Sequence, residues 1–219
     1  MNNRNIINSW NLYVITDEKL GVKRSHLDIA KAAIAGGAEV IQLRDKEASS
    51  QKLFQTAVIL RKLTQQNKVS LIINDRLDIA LAVSAEGVHV GQTDLPAQVT
   101  RKLIGPNMIL GVSAGSVNEA LEAERQGADY LGVGPIFEAR GTKTDAGAPL
   151  GLSLLNQLRE KCKIPLVAIG GINQDNVKGV IRAGATAVAI ISAIVSSKDI
   201  LSTTRYIKEI IKIAKGEVD

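Results

Sequence analysis

The chain has 219 residues, of which 45% are hydrophobic, 22% are charged and 3% are aromatic. This is the composition of an ordinary globular protein, and the length allows one or two domains. A net charge of +5 raises nucleic acid as a partner, but the scarcity of aromatic residues and the lack of a long Lys/Arg tract argue against it. The basic excess fits small phosphorylated ligands better.

No targeting or membrane-spanning segment is evident in the sequence. Met1 to Trp10 is polar and lacks the apolar run of a signal peptide, and no apolar stretch is long enough to cross a bilayer. The single cysteine, Cys162, excludes an internal disulfide framework and suits a reducing compartment. We therefore expect a cytoplasmic protein that does not bind membranes, and the sequence leaves homo-oligomer formation open.

Short apolar runs recur along the chain, and each is followed by a polar loop and an amphipathic segment. Most of these runs are near-continuous Val, Ile and Leu, as parallel strands buried on both faces should be. The eight predicted strands are Leu12–Thr16, Val40–Leu43, Ser70–Ile73, Gly87–Val90, Ile109–Val112, Tyr130–Val133, Leu166–Ile169 and Ala187–Ile191.

Predicted helices lie between these strands, and polar residues mark several of their first turns. Ser25, Ser49 or Ser50, and Ser116 are suitable N-caps, and Pro96 fits the first turn of a helix. The predicted helices span residues 25–35, 49–63, 77–83, 96–103, 116–125, 152–161, 173–182 and 200–214. Glycine among small residues, as in Ala35-Gly36-Gly37-Ala38, ends several of them before the next strand.

Eight strand–helix units within 219 residues, with no linker between them, predict an α/β fold. We expect a single (β/α)8 TIM barrel that forms one domain over residues 1–219. An open doubly wound sheet is the alternative, and the count of eight favours closure. In such barrels the active site forms at the C-terminal ends of the strands, from the loops that follow them.

The second predicted strand carries charge where a buried strand should not. Successive strand side chains point to opposite faces, so Gln42, Arg44 and Lys46 share one face. An Arg fork, a Lys point charge and a neutral amide donor together make a good cradle for an anion. A solvated edge strand explains the same pattern, and this segment alone does not decide between the two.

Two aspartates follow neighbouring predicted strands, Asp75 after the third and Asp94 after the fourth. Neighbouring strands lie about 4.8 Å apart, so the two carboxylates can converge on one site. Mg²⁺ takes a few carboxylates and completes its octahedron with phosphate oxygens and water. The alternative is that each Asp caps the helix after it. The presence of both beside Arg44 and Lys46 favours the metal.

The strands that follow add further polar groups. Ser113, at the end of the fifth strand, can donate a hydrogen bond to a ligand. The long loop from Glu138 to Gly147 has the polar, Gly-containing composition of a closing lid and brings Arg140 and Lys143. A plain solvated loop is the alternative.

A second anion site is predicted after the seventh and eighth strands. Loops at that position often hold a phosphate on backbone N–H groups. The paired Gly170 and Gly171 allow close approach, and a short helix that starts at Ser192 would direct its dipole at the anion. Of the two histidines, His26 is interpreted as a surface or capping residue and His89 as a buried structural residue. No nucleophilic triad or zinc motif is present.

Taken in order, these motifs resemble the thiamine-phosphate synthase family over nearly the whole chain. Each motif is moderately specific, and the ordered set is highly specific. The matching segments are Gln42-Leu43-Arg44-Asp45-Lys46, Asn74-Asp75-Arg76, Gly91-Gln92-Thr93-Asp94-Leu95-Pro96, Gly111-Val112-Ser113, Gly134-Pro135-Ile136-Phe137, Thr142-Lys143, Gly170-Gly171-Ile172 and Ile191-Ser192-Ala193.

The resemblance implies that 4-amino-5-hydroxymethyl-2-methylpyrimidine diphosphate and a thiazole phosphate are joined to give thiamine phosphate and diphosphate. It assigns catalysis to Arg44, Lys46, Ser113 and Lys143, and Mg²⁺ binding to Asp75 and Asp94. It assigns the pyrimidine diphosphate to Gln42, Leu43, Arg44, Asp45, Lys46, Asn74, Ser113 and Lys143. It assigns the thiazole phosphate to Arg140, Gly141, Thr142, Gly171, Ile191 and Ser192.

One departure from the family pattern lies in the predicted lid. The family usually reads Pro-Thr-x-Thr-Lys there, whereas this chain has Ala139-Arg140-Gly141-Thr142-Lys143. An Arg can bind phosphate, so we expect retained activity with altered contacts to the thiazole phosphate or carboxylate. Two alternatives remain, a thiazole tautomerase-like paralogue, expected to carry His where this chain has Ser113, and a non-catalytic phosphate-binding barrel.

Overall fold

Eight parallel strands form a closed barrel in the computed structural model, which describes residues 3–138 and 148–217. Each strand pairs with its neighbours in chain order, and the eighth pairs with the first. The strands are β1 Leu12–Thr16, β2 Val40–Leu43, β3 Ser70–Asn74, β4 Gly87–Val90, β5 Ile109–Ala114, β6 Tyr130–Val133, β7 Leu166–Ile169 and β8 Ala187–Ile190. The predicted (β/α)8 barrel is confirmed.

Helices connect the strands and cover the outside of the barrel. They are α1 Asn3–Asn8, α2 His26–Ala35, α3 Ser50–Gln66, α4 Leu77–Ala82, α5 Ala97–Ile104, α6 Val117–Arg125, α7 Gly151–Lys161, α8 Val177–Arg182, α9 Ser192–Val195 and α10 Ile200–Lys215. Over the described ranges, no helix combines the length and the apolar character needed to cross a membrane.

The predicted helix starts are confirmed at the three serine N-caps and at Leu77 and Ile200, and the remaining starts shift by one to four residues. Ser25, Ser49 and Ser116 each accept a hydrogen bond from a backbone N–H of the first turn. Pro96 is the N-cap of α5 and does not lie in its first turn. Helix α8 begins at Val177, four residues later than predicted, because the side chain of Asn176 accepts from the backbone N–H of Asn173 in a separate turn.

The N-terminal helix α1 was not predicted. It is short and largely polar, and its only buried residue is Ile7. Trp10 follows it into the interior and packs edge-on against Tyr13 and Tyr130, with ring centroids 5.8 and 5.5 Å away. This segment therefore packs beneath the barrel interior and supports the residues that line it from below.

Strand alternation decides which side chains reach the interior of the barrel. On β2, Ile41 and Leu43 pack in the hydrophobic core, whereas Gln42 lines the interior cavity. The strand pairing sets Asn74 of β3 level with His89 of β4. Polar side chains of neighbouring strands therefore line the same cavity at the C-terminal end of the barrel.

Candidate active site

A cavity of about 420 Å³ lies inside the C-terminal end of the barrel. Every strand or the loop after it contributes to its wall. The polar lining residues include Tyr13, Gln42, Arg44, Lys46, Asn74, Asp75, His89, Gln92, Thr93, Asp94, Ser113, Glu119, Tyr130 and Ser192. The volume suits a small-molecule ligand, and the position is the one where barrels of this type carry their active sites.

One side of the cavity carries positive charge from the β2 strand end. Gln42, Arg44 and Lys46 all line the cavity, as expected from their shared face. Arg44 is largely buried, with Nη1 3.7 Å from Asp17 Oδ2, and its buried Nε has no hydrogen-bond partner among the described residues. Lys46 is about half-exposed. A guanidinium with an unused buried donor is suited to an incoming anion.

Asp75 and Asp94 converge on the same side of the cavity. Burial and the hydrogen-bonded Asp94 carboxyl raise the pKa of Asp75 to about 6, against the opposing effect of Lys46 and Arg44. Lys46 Nζ lies 3.9 Å from Asp75 Oδ2. Lys46 and Arg44 therefore only partly offset the rise in the pKa of Asp75 that burial and the Asp94 carboxyl cause.

The helix-cap interpretation of the two aspartates is wrong. Helices α4 and α5 have Arg76 and Pro96 as N-caps, and neither helix receives a side-chain cap hydrogen bond. Asp94 Oδ2 instead accepts from the backbone N–H of Gly91 at 2.7 Å. Asp75 takes a positive φ of 61°, an uncommon conformation for a residue with a side chain. Asp75 and Asp94 therefore shape the rim of the cavity and do not cap the helices that follow them.

The acid pair fits a hard divalent cation. In the described part of the chain no three His, Cys, Asp or Glu side chains gather as a complete metal-ligand set. Two carboxylates are the partial set with which Mg²⁺ is usually held, because phosphate oxygens and water fill its other positions. A cation held by Asp75 and Asp94 would also counter the burial and the neighbouring Asp94 carboxyl that together raise the pKa of Asp75.

Two residues of the predicted pyrimidine diphosphate set point away from the cavity. Leu43 is part of the hydrophobic core, and Asp45 does not belong to the cavity lining. Asp45 accepts from the backbone N–H groups of Glu47 and Ala48 at 3.1 and 3.0 Å. Its side chain therefore shapes the β2–α3 loop, and its contribution to ligand binding would be indirect.

The surface interpretation of His26 is wrong. The residue is 2% exposed, and its Nδ1 lies 2.7 Å from Thr16 Oγ1. Its Nε2 lies 3.6 Å from Asp45 Oδ2. His26 is thus a buried residue that ties the start of α2 to β1 and to the β2–α3 loop.

The opposite side of the cavity, at the ends of β7 and β8, is formed by small and uncharged residues. Gly170, Gly171, Ile191 and Ser192 all line it. Both glycines have positive φ, and a Cβ on Gly171 would come within 2.7 Å of the Glu138 carbonyl oxygen. Helix α9 starts at Ser192, as predicted, but it is a single turn of four residues. Exposed backbone N–H groups, more than a long helix dipole, are what this rim offers an anion.

A row of buried hydrogen bonds crosses the cavity floor and was not predicted. Gln42 Nε2 donates to Tyr13 Oη at 2.7 Å, and Tyr13 Oη lies 3.1 Å from Tyr130 Oη. His89 joins Tyr130 Oη to Ser113 Oγ, with Nδ1 at 3.0 Å and Nε2 at 2.9 Å. His89 is therefore a cavity residue in contact with Ser113. Its inward strand parity, shared with Gly91, was the available signal.

Four residues named from the sequence lie outside the described residues. These are Arg140, Gly141, Thr142 and Lys143. The remaining predicted site residues that line the cavity are Gln42, Arg44, Lys46, Asn74, Asp75, Asp94, Ser113, Gly171, Ile191 and Ser192.

The fold and the cavity define a class of protein: the (β/α)8-barrel enzymes that act on small molecules at the C-terminal ends of their strands. The chain belongs to the thiamine monophosphate synthase family, whose model matches residues 12–194. It is a transferase of thiamine biosynthesis, of the thiamine-phosphate synthase type.

Individual relatives agree with this assignment. The chain is 52% identical to the thiamine-phosphate synthase of Moorella thermoacetica, over 95% of this chain and 99% of that protein. It is 52% identical to the thiamine-phosphate synthase of Chloroflexus aurantiacus, over 94% of each. The structure of thiamine phosphate pyrophosphorylase from Pyrococcus furiosus superimposes with a TM-score of 0.88 at 40% identity, over 95% of this chain and 98% of that one.

Proposed function

We propose that the enzyme joins 4-amino-5-hydroxymethyl-2-methylpyrimidine diphosphate to a thiazole phosphate, and releases thiamine phosphate and diphosphate. The observation that carries the proposal is the cluster of Arg44, Lys46, Asp75 and Asp94 on one side of the cavity. Cations beside a carboxylate pair suit a magnesium diphosphate, which needs both kinds of partner. Residues 1–219 would act as one functional domain.

The pyrimidine diphosphate would lie along the β2 to β5 side of the cavity. Arg44 and Lys46 would bind its phosphate oxygens, with Lys143 added from the loop after β6. Gln42, Asn74 and Ser113 line the adjoining wall and supply neutral hydrogen-bonding groups to the ring. These roles combine the cavity geometry with the family resemblance of the motifs.

Asp75 and Asp94 would hold Mg²⁺ at the diphosphate. The ion, when bound, offsets negative charge on the phosphate oxygens and the two carboxylates. The aspartates would hold the positive charge of the ion at the ends of β3 and β4, next to Lys46. The wall then gathers positive charge at the position where the leaving diphosphate gains negative charge.

The reaction needs little covalent help from the protein. The methylene C–O bond breaks with its electron pair going to the diphosphate, and the electron-rich aminopyrimidine stabilises the remaining cation. The thiazole nitrogen lone pair then forms the C–N bond, and no proton has to be removed from it. Preorganised charges such as Arg44 and Lys46 lower the barrier by stabilising the departing group.

The thiazole phosphate would bind at the uncharged rim. Gly171, Ile191 and Ser192 would contact it through the close-approaching backbone, and Arg140, Gly141 and Thr142 would complete the contact from the loop. The two substrates would then meet above the row of hydrogen bonds on the cavity floor.

The direct experiment is an assay of the purified chain with both substrates and Mg²⁺. We expect diphosphate release that matches thiamine phosphate formation one to one. No product, with binding of both substrates shown by calorimetry, would overturn the proposal in favour of a phosphate-binding protein. Conversion of the thiazole alone would favour a tautomerase.

A further inference from the structure

The buried hydrogen bonds on the cavity floor connect two residues of the proposed pyrimidine site. Gln42 on β2 and Ser113 on β5 both line the cavity, and Tyr13, Tyr130 and His89 join them across the barrel. Tyr13 and Tyr130 lie on β1 and β6, which are not neighbours, so their hydroxyl contact spans the interior. The floor is thus one continuous network.

We propose that this network is directional and fixes Ser113 as a hydrogen-bond donor toward the substrate. His89 and Tyr130 then act as positioning residues, which set the state of Ser113 without contacting the reacting atoms, and Tyr13 links them to Gln42. The inference rests on the proposed function only in taking the substrate to be the pyrimidine diphosphate.

The direction follows from counting protons. Tyr13 is buried and accepts from Gln42 Nε2, and donation to Tyr130 gives its single hydroxyl proton an acceptor within the network. Tyr130 accepts there and therefore donates to His89 Nδ1. A neutral His with an accepting Nδ1 carries its proton on Nε2 and donates it to Ser113 Oγ. The proton of Ser113 remains available to the cavity.

Both phenols keep their protons at ordinary pH. Tyr13 and Tyr130 are each 1% exposed. Burial raises the pKa of Tyr13 and of Tyr130 well above the usual range of a tyrosine. Each therefore has one proton to give in the network, as the count requires.

The surrounding residues hold the rings in place. A Cβ on Gly111 would come within 2.1 Å of Tyr130 Cζ, and a Cβ on Gly132 within 2.7 Å of His89 Cε1. Two strand positions are thus free of side chains at the points where the rings need room. Trp10 packs edge-on against both tyrosines from below. The network is a built feature of the barrel interior.

The direction determines what each end offers a ligand. Because Gln42 uses Nε2 on Tyr13, its carbonyl oxygen is the group left to accept from a substrate amino group. Ser113 offers a proton to a substrate acceptor. If the hydrogen bonds ran in the opposite direction, Gln42 would present a donor and Ser113 an acceptor. Neither group would then match the substrate group beside it.

The most direct test reads the tautomer of His89 by ¹⁵N nuclear magnetic resonance of histidine-labelled protein. The chain has two histidines, so a His89→Asn variant assigns the signals. We expect the free wild-type enzyme to show His89 neutral with its proton on Nε2. A proton on Nδ1, or a charged ring, would overturn the inference whether or not the enzyme makes thiamine phosphate.

A matched pair of variants adds the functional link. Tyr130→Phe removes the donor to His89 Nδ1, whereas Tyr13→Phe removes a similarly buried hydroxyl and leaves that donor in place. We expect Tyr130→Phe to populate both His89 tautomers and to raise KM for the pyrimidine diphosphate about tenfold. Tyr13→Phe should keep the Nε2–H form, because Tyr130 can still donate to His89 Nδ1, whereas its effect on KM comes from the freed Gln42 amide.

A purely structural role predicts equal effects from the two variants, because each loses one buried phenol hydroxyl. An unchanged tautomer in Tyr130→Phe, or a mixture of tautomers in Tyr13→Phe, would contradict the directional network. If Tyr130→Phe does not fold, the His89 tautomer in the wild type and in Tyr13→Phe still tests the direction of the network. Both proteins should carry the His89 proton on Nε2.

Discussion

The two sides of the cavity differ in how they can hold an anion. The β2 to β4 side carries charged side chains, with Arg44 and Lys46 beside Asp75 and Asp94. The described residues on the β7 and β8 side are uncharged, and Gly170, Gly171 and Ser192 offer mainly backbone. The β2 to β4 side can bind an anion through charged side chains, and the described residues of the β7 and β8 side can bind one through backbone groups.

This difference matches the two tasks in the proposed reaction. The diphosphate gains negative charge as it leaves, so fixed positive charge near it lowers the barrier as well as binding the substrate. The thiazole phosphate keeps the same charge throughout, so it can be held by backbone N–H groups and Arg140 without a metal. Variants that affect one side should therefore change turnover, and variants on the other should change binding of one substrate.

The largest effect is expected for Asp94→Asn. The amide oxygen can still accept from the Gly91 N–H, so the loop keeps its shape while one carboxylate charge is lost. We expect Mg²⁺-dependent turnover to fall by about 10²- to 10³-fold. Steady-state kinetics over a range of Mg²⁺ concentrations measures the change.

Asp78→Asn is the matched control for Asp94→Asn. Asp78 lies outside the cavity lining, is 61% exposed and pairs with Arg76. It should retain wild-type turnover. Wild-type turnover in Asp94→Asn itself would remove the metal role assigned to this residue.

A smaller loss is expected for Lys46→Met, which removes one positive charge and keeps a similar chain length. We expect kcat to fall about 10- to 100-fold, with little change in KM for the thiazole phosphate, because Lys46 lies on the diphosphate side. Lys52→Met, outside the cavity, serves as the control. Equal kcat values for the two variants would argue against a leaving-group role for Lys46.

Gly171→Ala addresses the uncharged side. Its φ of 65° disfavours a side chain, and the added Cβ would lie 2.7 Å from the Glu138 carbonyl oxygen. We expect KM for the thiazole phosphate to rise several-fold and the free energy of unfolding to fall by about 1–3 kcal/mol. Gly179→Ala, with ordinary backbone and only a van der Waals contact to Leu152 Cδ1 at 3.7 Å, should be neutral or stabilising. A higher KM for the pyrimidine diphosphate alone would contradict the division of the cavity.

The smallest effect concerns stability without metal. The pKa of Asp75 is raised from 3.8 to about 6, so its ionisation disfavours the folded state as pH rises through that window. Asp75→Asn removes this penalty, and in the presence of a chelator it should stabilise the protein at pH 8 by on the order of 2 kcal/mol. At pH 3.5 the gain should vanish. Thermal unfolding at both pH values measures it, and an equal gain at both would contradict the crowded acid pair.

Much of the fold could be predicted because parallel strands leave a strong local pattern. Each strand is a short Val, Ile and Leu run, and helix N-caps such as Ser25 and Ser116 depend on nearby sequence alone. Helix α1 has no such pattern. It is stabilised by distant contacts, such as the one from Asn3 Nδ2 to Asp129 Oδ2 at 3.3 Å.

The charged side of the site was predictable for a related reason. Parity along β2 and adjacency of β3 and β4 place Arg44, Asp75 and Asp94 together once a barrel is assumed. The position of His89 depends on Tyr130 and Ser113, which reach it only when the barrel closes. The burial of His26 likewise depends on Thr16 and Asp45 from other segments. The parity of His89 along β4 could be inferred from the sequence, whereas the partners of His89 and His26 could not.

We propose that Arg44, Lys46, Asp75 and Asp94 form one magnesium diphosphate site. Titration calorimetry with inorganic diphosphate, with and without Mg²⁺, tests it without any turnover. We predict tight, Mg²⁺-dependent binding to the wild type, its loss in Asp94→Asn, and its retention in Gly171→Ala. Diphosphate binding that is independent of Mg²⁺, or that is lost in Gly171→Ala and kept in Asp94→Asn, would contradict the account.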